Sequence, residues 1–99
     1  MAKLSIDFQD GFADDTVVLH VEGKEHFRKQ HISSKPVIGW ADSFQTEVSS
    51  GHVNIQVAIP TQEIAVTIPL DIRRDTHLGL SVVNGKLEHI VSDRPFTYA

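Results

Sequence analysis

The sequence predicts an all-β fold: an antiparallel β-sandwich of two sheets and about seven or eight short strands, with a Greek-key-like connection. Three observations lead there. Apolar and polar residues alternate with a period of two through most of the chain, as in strands with one buried face. Turn-forming residues recur between these runs, the clearest being Asn84-Gly85 between two apolar segments, the strongest short-range hairpin signal. No stretch shows the 3.6-residue period of a helix. A small closed β-barrel is the alternative that the same pattern allows.

The elements follow in order. Leu4, Ile6 and Phe8 alternate with Ser5, Asp7 and Gln9 in a first strand, which Asp10-Gly-Phe-Ala-Asp-Asp15 ends with turn chemistry. Thr16 to Glu22 forms a second strand, with Val17, Leu19 and Val21 inward and Val18 and His20 on the other side. Glu22-Gly23-Lys24-Glu25 is a tight turn into a polar third strand, His26 to about Ile32, whose inward residue is Phe27. Its charges suit a sheet edge, where they discourage unwanted strand addition.

Ser33 to Ala41 loses the period. Ser-Ser-Lys-Pro36 reads as a loop, and Val37-Ile38-Gly39-Trp40 is a short apolar segment. This connection is long enough to cross between sheets. Alternation returns from Ser43 to Val48, and Ser49-Ser50-Gly51 turns the chain into His52 to Ile59, with Val53, Ile55, Val57 and Ile59 inward. After Pro60-Thr-Gln62, residues Glu63 to Ile72 place Ile64, Val66, Ile68, Leu70 and Ile72 on one face. Pro69 cannot donate to a ladder and marks an edge, a bulge or a strand that changes sheets.

Arg73 to His77 is a charged loop. The Asn84-Gly85 hairpin then pairs Val82 with Leu87, Leu80 with His89 and Leu78 with Val91 on one face, and Val83 with Lys86, Ser81 with Glu88 and Gly79 with Ile90 on the other. The first face is apolar except for His89. A buried imidazole there needs a hydrogen-bond partner. The tail from Ser92 to Ala99 is extended, pinned by Phe96 and Tyr98. Three connections in all read as hairpins.

Ninety-nine residues with 40% hydrophobic and 22% charged side chains make one globular domain, 1–99, able to bury its own core. No apolar run reaches the roughly 20 residues of a membrane-spanning helix. Met1-Ala-Lys-Leu-Ser5 opens no signal-peptide apolar region. No membrane association is expected, and the expected location is the cytoplasm. A net charge of −4 argues against a nucleic-acid partner. The absence of cysteine removes disulfides, thiolate nucleophiles and cysteine-held zinc. Six histidines would carry the formal charge from −4 to −4 + 6 = +2 if all were protonated.

Candidate sites come from side-chain chemistry. Trp40 offers a ring face for a sugar or another ring, with Lys35, Asp42 and Gln45 near in sequence to orient it. Asp10, Asp14 and Asp15 supply oxygen ligands, but their spacing matches no calcium loop, and turn chemistry accounts for them. The histidines at 20, 26, 31, 52, 77 and 89 lack metal-ligand spacing. No metal or cofactor is expected. Serine, histidine and aspartate occur without a nucleophile elbow, and no glycine-rich phosphate loop is present.

The expected function is therefore a non-catalytic interaction and assembly module that self-associates or binds a protein partner through exposed sheet edges, those of the His26 to Ile32 and Pro69-containing strands. The alternative is a small-molecule or carbohydrate-binding module using the Trp40 loop. An enzyme with a histidine base would require a cleft joining His20 or His89 to a carboxylate.

Overall fold

A computed structural model of the chain describes residues 1–35 and 37–98; Pro36, part of the loop signal, and Ala99, the last residue of the tail, lie outside the described residues. Eight strands occur in chain order: β1 Ala2–Phe8, β2 Asp15–Val21, β3 Lys24–Ile32, β4 Asp42–Val48, β5 Gly51–Ile59, β6 Ile64–Ile72, β7 Thr76–Val83 and β8 Lys86–Ser92. They form two four-stranded sheets, β4-β1-β7-β8 and β3-β2-β5-β6. The sheets pack face to face and do not close into a barrel, so the fold is the sandwich that the alternation predicts.

Three connections are hairpins, β2–β3, β5–β6 and β7–β8, and the other four cross between sheets, including the one through residues 33–41. Among the described residues all strand pairings are antiparallel except β1 with β7, which run parallel. The expected sandwich is present, with this one central pair running the other way. Two strands far apart in sequence meet at the centre of a sheet without a hairpin to constrain their direction.

Alternation turns into burial directly. Leu4, Ile6 and Phe8 of β1, Val17 and Leu19 of β2, Ile55, Val57 and Ile59 of β5, and Leu78 and Leu80 of β7 are buried in one core. These are the central strands, each flanked by a strand on both sides. Removing a large aliphatic side chain of this kind from water is worth about 2 kcal/mol, before the entropy of ordering it. Phe8 meets Phe12 edge to face at 5.7 Å and Phe27 at 5.4 Å, so an aromatic group extends the core toward β3.

The β7–β8 hairpin has the register expected from its turn, from Val83–Lys86 through Leu78–Val91. Asn84 and Gly85 take φ values of 52° and 76°, the left-handed pair that a type I′ turn requires. Glu22 and Gly23, at 52° and 79°, make the same turn between Val21 and Lys24. The third strand accordingly starts at Lys24, two residues before His26, because the turn needs two residues and not four.

Gly11 has a different constraint. Its φ is +87°, and a Cβ there would overlap the backbone carbonyl of Val82, to which the chain is tied by a bond from the Val82 N–H to the Asp10 carbonyl at 2.9 Å. The tail is held on the outer face of the first sheet: the Tyr98 hydroxyl donates to Asp7 Oδ2 at 2.6 Å and accepts from Gln9 Nε2 at 3.1 Å. Burial, with the Asp7 bond, pushes the Tyr98 hydroxyl up to about 12.

Two outcomes follow. Gly11→Ala destabilises by about 3 kcal/mol, combining left-handed strain with overlap against a carbonyl that cannot move aside, whereas Gly85→Ala, facing open space, costs about 1 kcal/mol; urea unfolding of both measures the gap. The folded-state pKa of Tyr98, the only tyrosine, lies above its unfolded value of about 10. Its contribution to stability is therefore complete below pH 10 and disappears as pH rises through about 12. Absorbance at 295 nm should show a single phenol midpoint near that upper value; a midpoint at the unfolded value means a detached tail.

Candidate functional site

Each sheet has two edges, and the sandwich stacks β3 beside β4 on one side and β6 beside β8 on the other. The β3/β4 side is closed by side chains that reach across the gap. Phe27 and Phe44 meet at 5.2 Å, Lys29 Nζ lies 2.5 Å from Asp42 Oδ2, and the His26 and Thr46 side chains approach to 3.5 Å. Strand β3 is also interrupted by two irregularities in its pairing with β2, which twist an edge away from further pairing.

On the β6/β8 side the core-facing rows run out past the opposite sheet. Leu87 packs partly against the core, but His89 and Val91, on the same face, are exposed, and Val66 of β6 is 38% exposed although it belongs to the inward row. The expectation of a buried Val66, and of an apolar-face His89 in need of a partner, is corrected for one reason: edge strands of both sheets lack a neighbour to cover them. On the outer face Ile90 is 59% exposed, and Val91 on the inner face 51%. Strand β8 thus shows apolar side chains to solvent on both faces.

Its backbone is open as well. The Gln9 N–H donates to the Leu80 carbonyl, and the Val82 N–H to that of Asp10. Even-numbered residues of β7 therefore turn their backbone groups toward β1, and odd-numbered ones toward β8. In the antiparallel ladder, Lys86, Glu88, Ile90 and Ser92 bond back to β7. The N–H and C=O groups of Leu87, His89 and Val91 point outward along an edge that no strand pairs among the described residues.

The β6 edge differs at Pro69. Its pairing partner Asn54 turns both backbone groups to β2, donating to Glu22 Oε1 at 2.6 Å and accepting from the Glu22 N–H at 3.0 Å. Pro69 consequently removes no bond from the β5–β6 ladder; its missing N–H falls on the solvent side, leaving a gap among the edge donors.

Two clefts lie at these borders. One of about 250 Å³ includes Leu70, Thr76, Val91 and Ser92, and Arg73 and Arg74 also line it; the arginines are paired with Asp71 at 3.1 Å and Asp93 at 3.8 Å. The other, of about 490 Å³, lies among Val21, Val48 and Val53 with His26, His52 and Glu47. Sequence spacing gave no sign of this second cleft, since its histidines come from strands of one sheet that are 26 residues apart. Among the described residues no three side chains gather as metal ligands.

The residues expected to bind ligands are distributed as follows. Lys35 Nζ sits 5.7 Å from the Trp40 ring centroid, within cation–π range, and the loop is held by bonds from the Lys35 N–H to the Trp40 carbonyl and from the Gly39 N–H to the Lys35 carbonyl. The half-buried Trp40 face is thus engaged by a neighbour in its own loop. Asp42 is paired with Lys29, and the β1–β4 register puts it on the inward face with Phe44, whereas Gln45 faces outward beside Ser5. Lys35 and Trp40 are brought together; Asp42 and Gln45 are separated by the sheet.

Asp10, Asp14 and Asp15 diverge. Asp14 bonds His31 Nδ1 at 2.6 Å at the surface. Asp15 is 2% exposed and accepts from the Ala13 amide at 2.8 Å, Thr61 Oγ1 at 2.5 Å and Gln62 Nε2 at 2.7 Å. Burial pushes its carboxyl up, but the bonds from Thr61, Ala13 and Gln62 outweigh this and hold it below the usual carboxylate range. It joins the β1–β2 loop to the Pro60–Gln62 turn. His20, half-buried on β2, stands opposite Glu25, and neither His20 nor His89 lines either cleft.

No protein-family model and no curated protein matches the chain.

Because the folded pKa of Asp15 is depressed, its contribution to stability is present above the unfolded value of about 3.9 and is lost as pH falls through the folded value. Asp15→Asn should cost about 1–3 kcal/mol at neutral pH, since it leaves buried donors unpaired, and should flatten the acid limb of the stability profile. Urea midpoints for both proteins between pH 7 and pH 2.5 check this, and parallel acid limbs would refute the role.

Proposed function

We propose that this protein is a non-catalytic interaction and assembly module that self-associates by strand addition at β8. One observation carries the reading: β8 combines outward N–H and C=O groups at Leu87, His89 and Val91 with exposed apolar side chains on both faces. Main-chain pairing supplies affinity in such contacts, and the flanking side chains supply selectivity. The other edges are less suited. β3 is charged and irregular, β6 lacks a donor at Pro69, and the exposed side chains of β4 are Ser43, Gln45 and Glu47.

The role relocates the expected edges from β3 and β6 to β8, whose exposure depends on tertiary packing. We propose a cytoplasmic location for the assembly.

The test uses light scattering and sedimentation over a wide range of protein concentration. The wild-type chain should associate. Val91→Pro deletes an outward N–H that β7 does not use, so it should weaken association by roughly tenfold or more with a far smaller effect on the urea midpoint. A chain monomeric at millimolar concentration, or one whose association ignores Val91→Pro, overturns the reading.

A further inference from the structure

We infer that two copies of the chain pair β8 with β8 in antiparallel register about His89, and that protonation of the two facing imidazoles separates them. The inference rests on the proposed assembly at β8 and adds its register and its control.

Register is limited by backbone geometry. Residues opposite one another in an antiparallel pair either both point their bonding groups across the seam or both point them away from it, so the outward set of Leu87, His89 and Val91 pairs with itself. A two-fold axis can then pass through any single β8 position. An axis at Glu88 opposes two carboxylates. Axes at Leu87 or Val91 engage three of the seven strand residues, 86–88 or 90–92, and an axis at Ile90 engages five, 88–92. The axis at His89, the midpoint of Lys86–Ser92, engages all seven. It sets Leu87 against Val91 of the second copy, Glu88 against Ile90 and Lys86 against Ser92, with no like charges directly opposed while histidine is neutral.

A second copy also suits the charge. The chain carries −4 overall, but β8 contains one lysine and one glutamate and is formally neutral. Pairing at β8 brings together two formally neutral strands, and covers Val91 and Ile90 on both faces.

The axis makes His89 its own neighbour. Opposed α-carbons in a bonded antiparallel pair are about 5.5 Å apart, so two imidazoliums there repel. Around His89 within one copy, β7 presents Leu80 with Leu78 and Val82 on the same face, and the inward row of β6 is apolar. The surrounding charged groups are Lys86 and Glu88 on the other face of β8, and Asp71, Arg73, Arg74 and Asp93 at the cleft beside Val91. Among the described residues none of these forms an ion pair or hydrogen bond with His89. Histidine is the side-chain type whose charge changes between about pH 5 and 8, which sets the range for the test.

The experiment measures dimer dissociation across that range by sedimentation, with EDTA present to exclude metal bridging. If assembly requires both imidazoles to shed protons, dissociation should rise by roughly tenfold or more from pH 8 to pH 5.5. His89→Gln should dimerise with a flat profile. Because the chain has no cysteine, His89→Cys should oxidise to a covalent dimer at a separation compatible with a disulfide, and Ile90→Cys should not. A dimer lost in Val91→Pro but insensitive to pH, or cross-linked by Ile90→Cys and not His89→Cys, overturns the register and control while leaving assembly at β8 intact. A monomer at every pH overturns both.

Discussion

The dry layer between the sheets is the contact on which the other features depend. A strand alternates its side chains between two faces, and here the inward rows of β1, β2, β5 and β7 all meet in one core that contains Phe8, Leu19, Ile55 and Leu80 with no exposure. Each of these central strands has neighbours on both sides, so its backbone groups are satisfied and its inward row is covered. The parallel β1–β7 pairing is part of the same arrangement: it brings the first and seventh strands side by side and lets the Gly11 loop close over Val82. Loops and turns then need only carry the chain from one covered row to the next.

Edges are where that arrangement stops satisfying the chain, and the two sides of the sandwich treat the shortfall differently. At β3 and β4 the gap is spanned by an aromatic pair, an ion pair and an imidazole–hydroxyl approach. At β6 and β8 no comparable clasp is present among the described residues, and valine and isoleucine side chains stay in water. Pro69 blunts one of these edges by withholding a donor. Strand β8 has neither proline nor bulge, and the reading of this protein as an assembly module comes from that difference between otherwise similar edges.

Polar residues that look chemical in the sequence serve mainly to hold loops. Asp15 accepts three bonds and joins two connections at one end of the sandwich; Asp14 takes His31, Asp42 takes Lys29, and Lys35 lies over Trp40. A carboxylate already saturated by protein donors has little capacity left for a cation. The larger cleft, with His26 and His52, arises from the way the β2–β3 and β4–β5 connections come together.

Local chemistry was enough for much of the architecture. The period of two determined which residues face inward along each central strand, and Asn84-Gly85 determined the hairpin register, because a type I′ turn leaves the flanking strands one way to pair. The turn at Glu22-Gly23 was legible for the same reason. What tertiary structure alone decided was the order of strands, the parallel β1–β7 pair, and which rows end at an open side. Val66 and Val91 have the alternation of core residues and are exposed, while Val18, on the outward row of β2, is buried. Alternation reports only which way a side chain points; whether anything lies there to cover it depends on segments distant in the chain, and that is why the face of each strand was written in the sequence and the free edge was not.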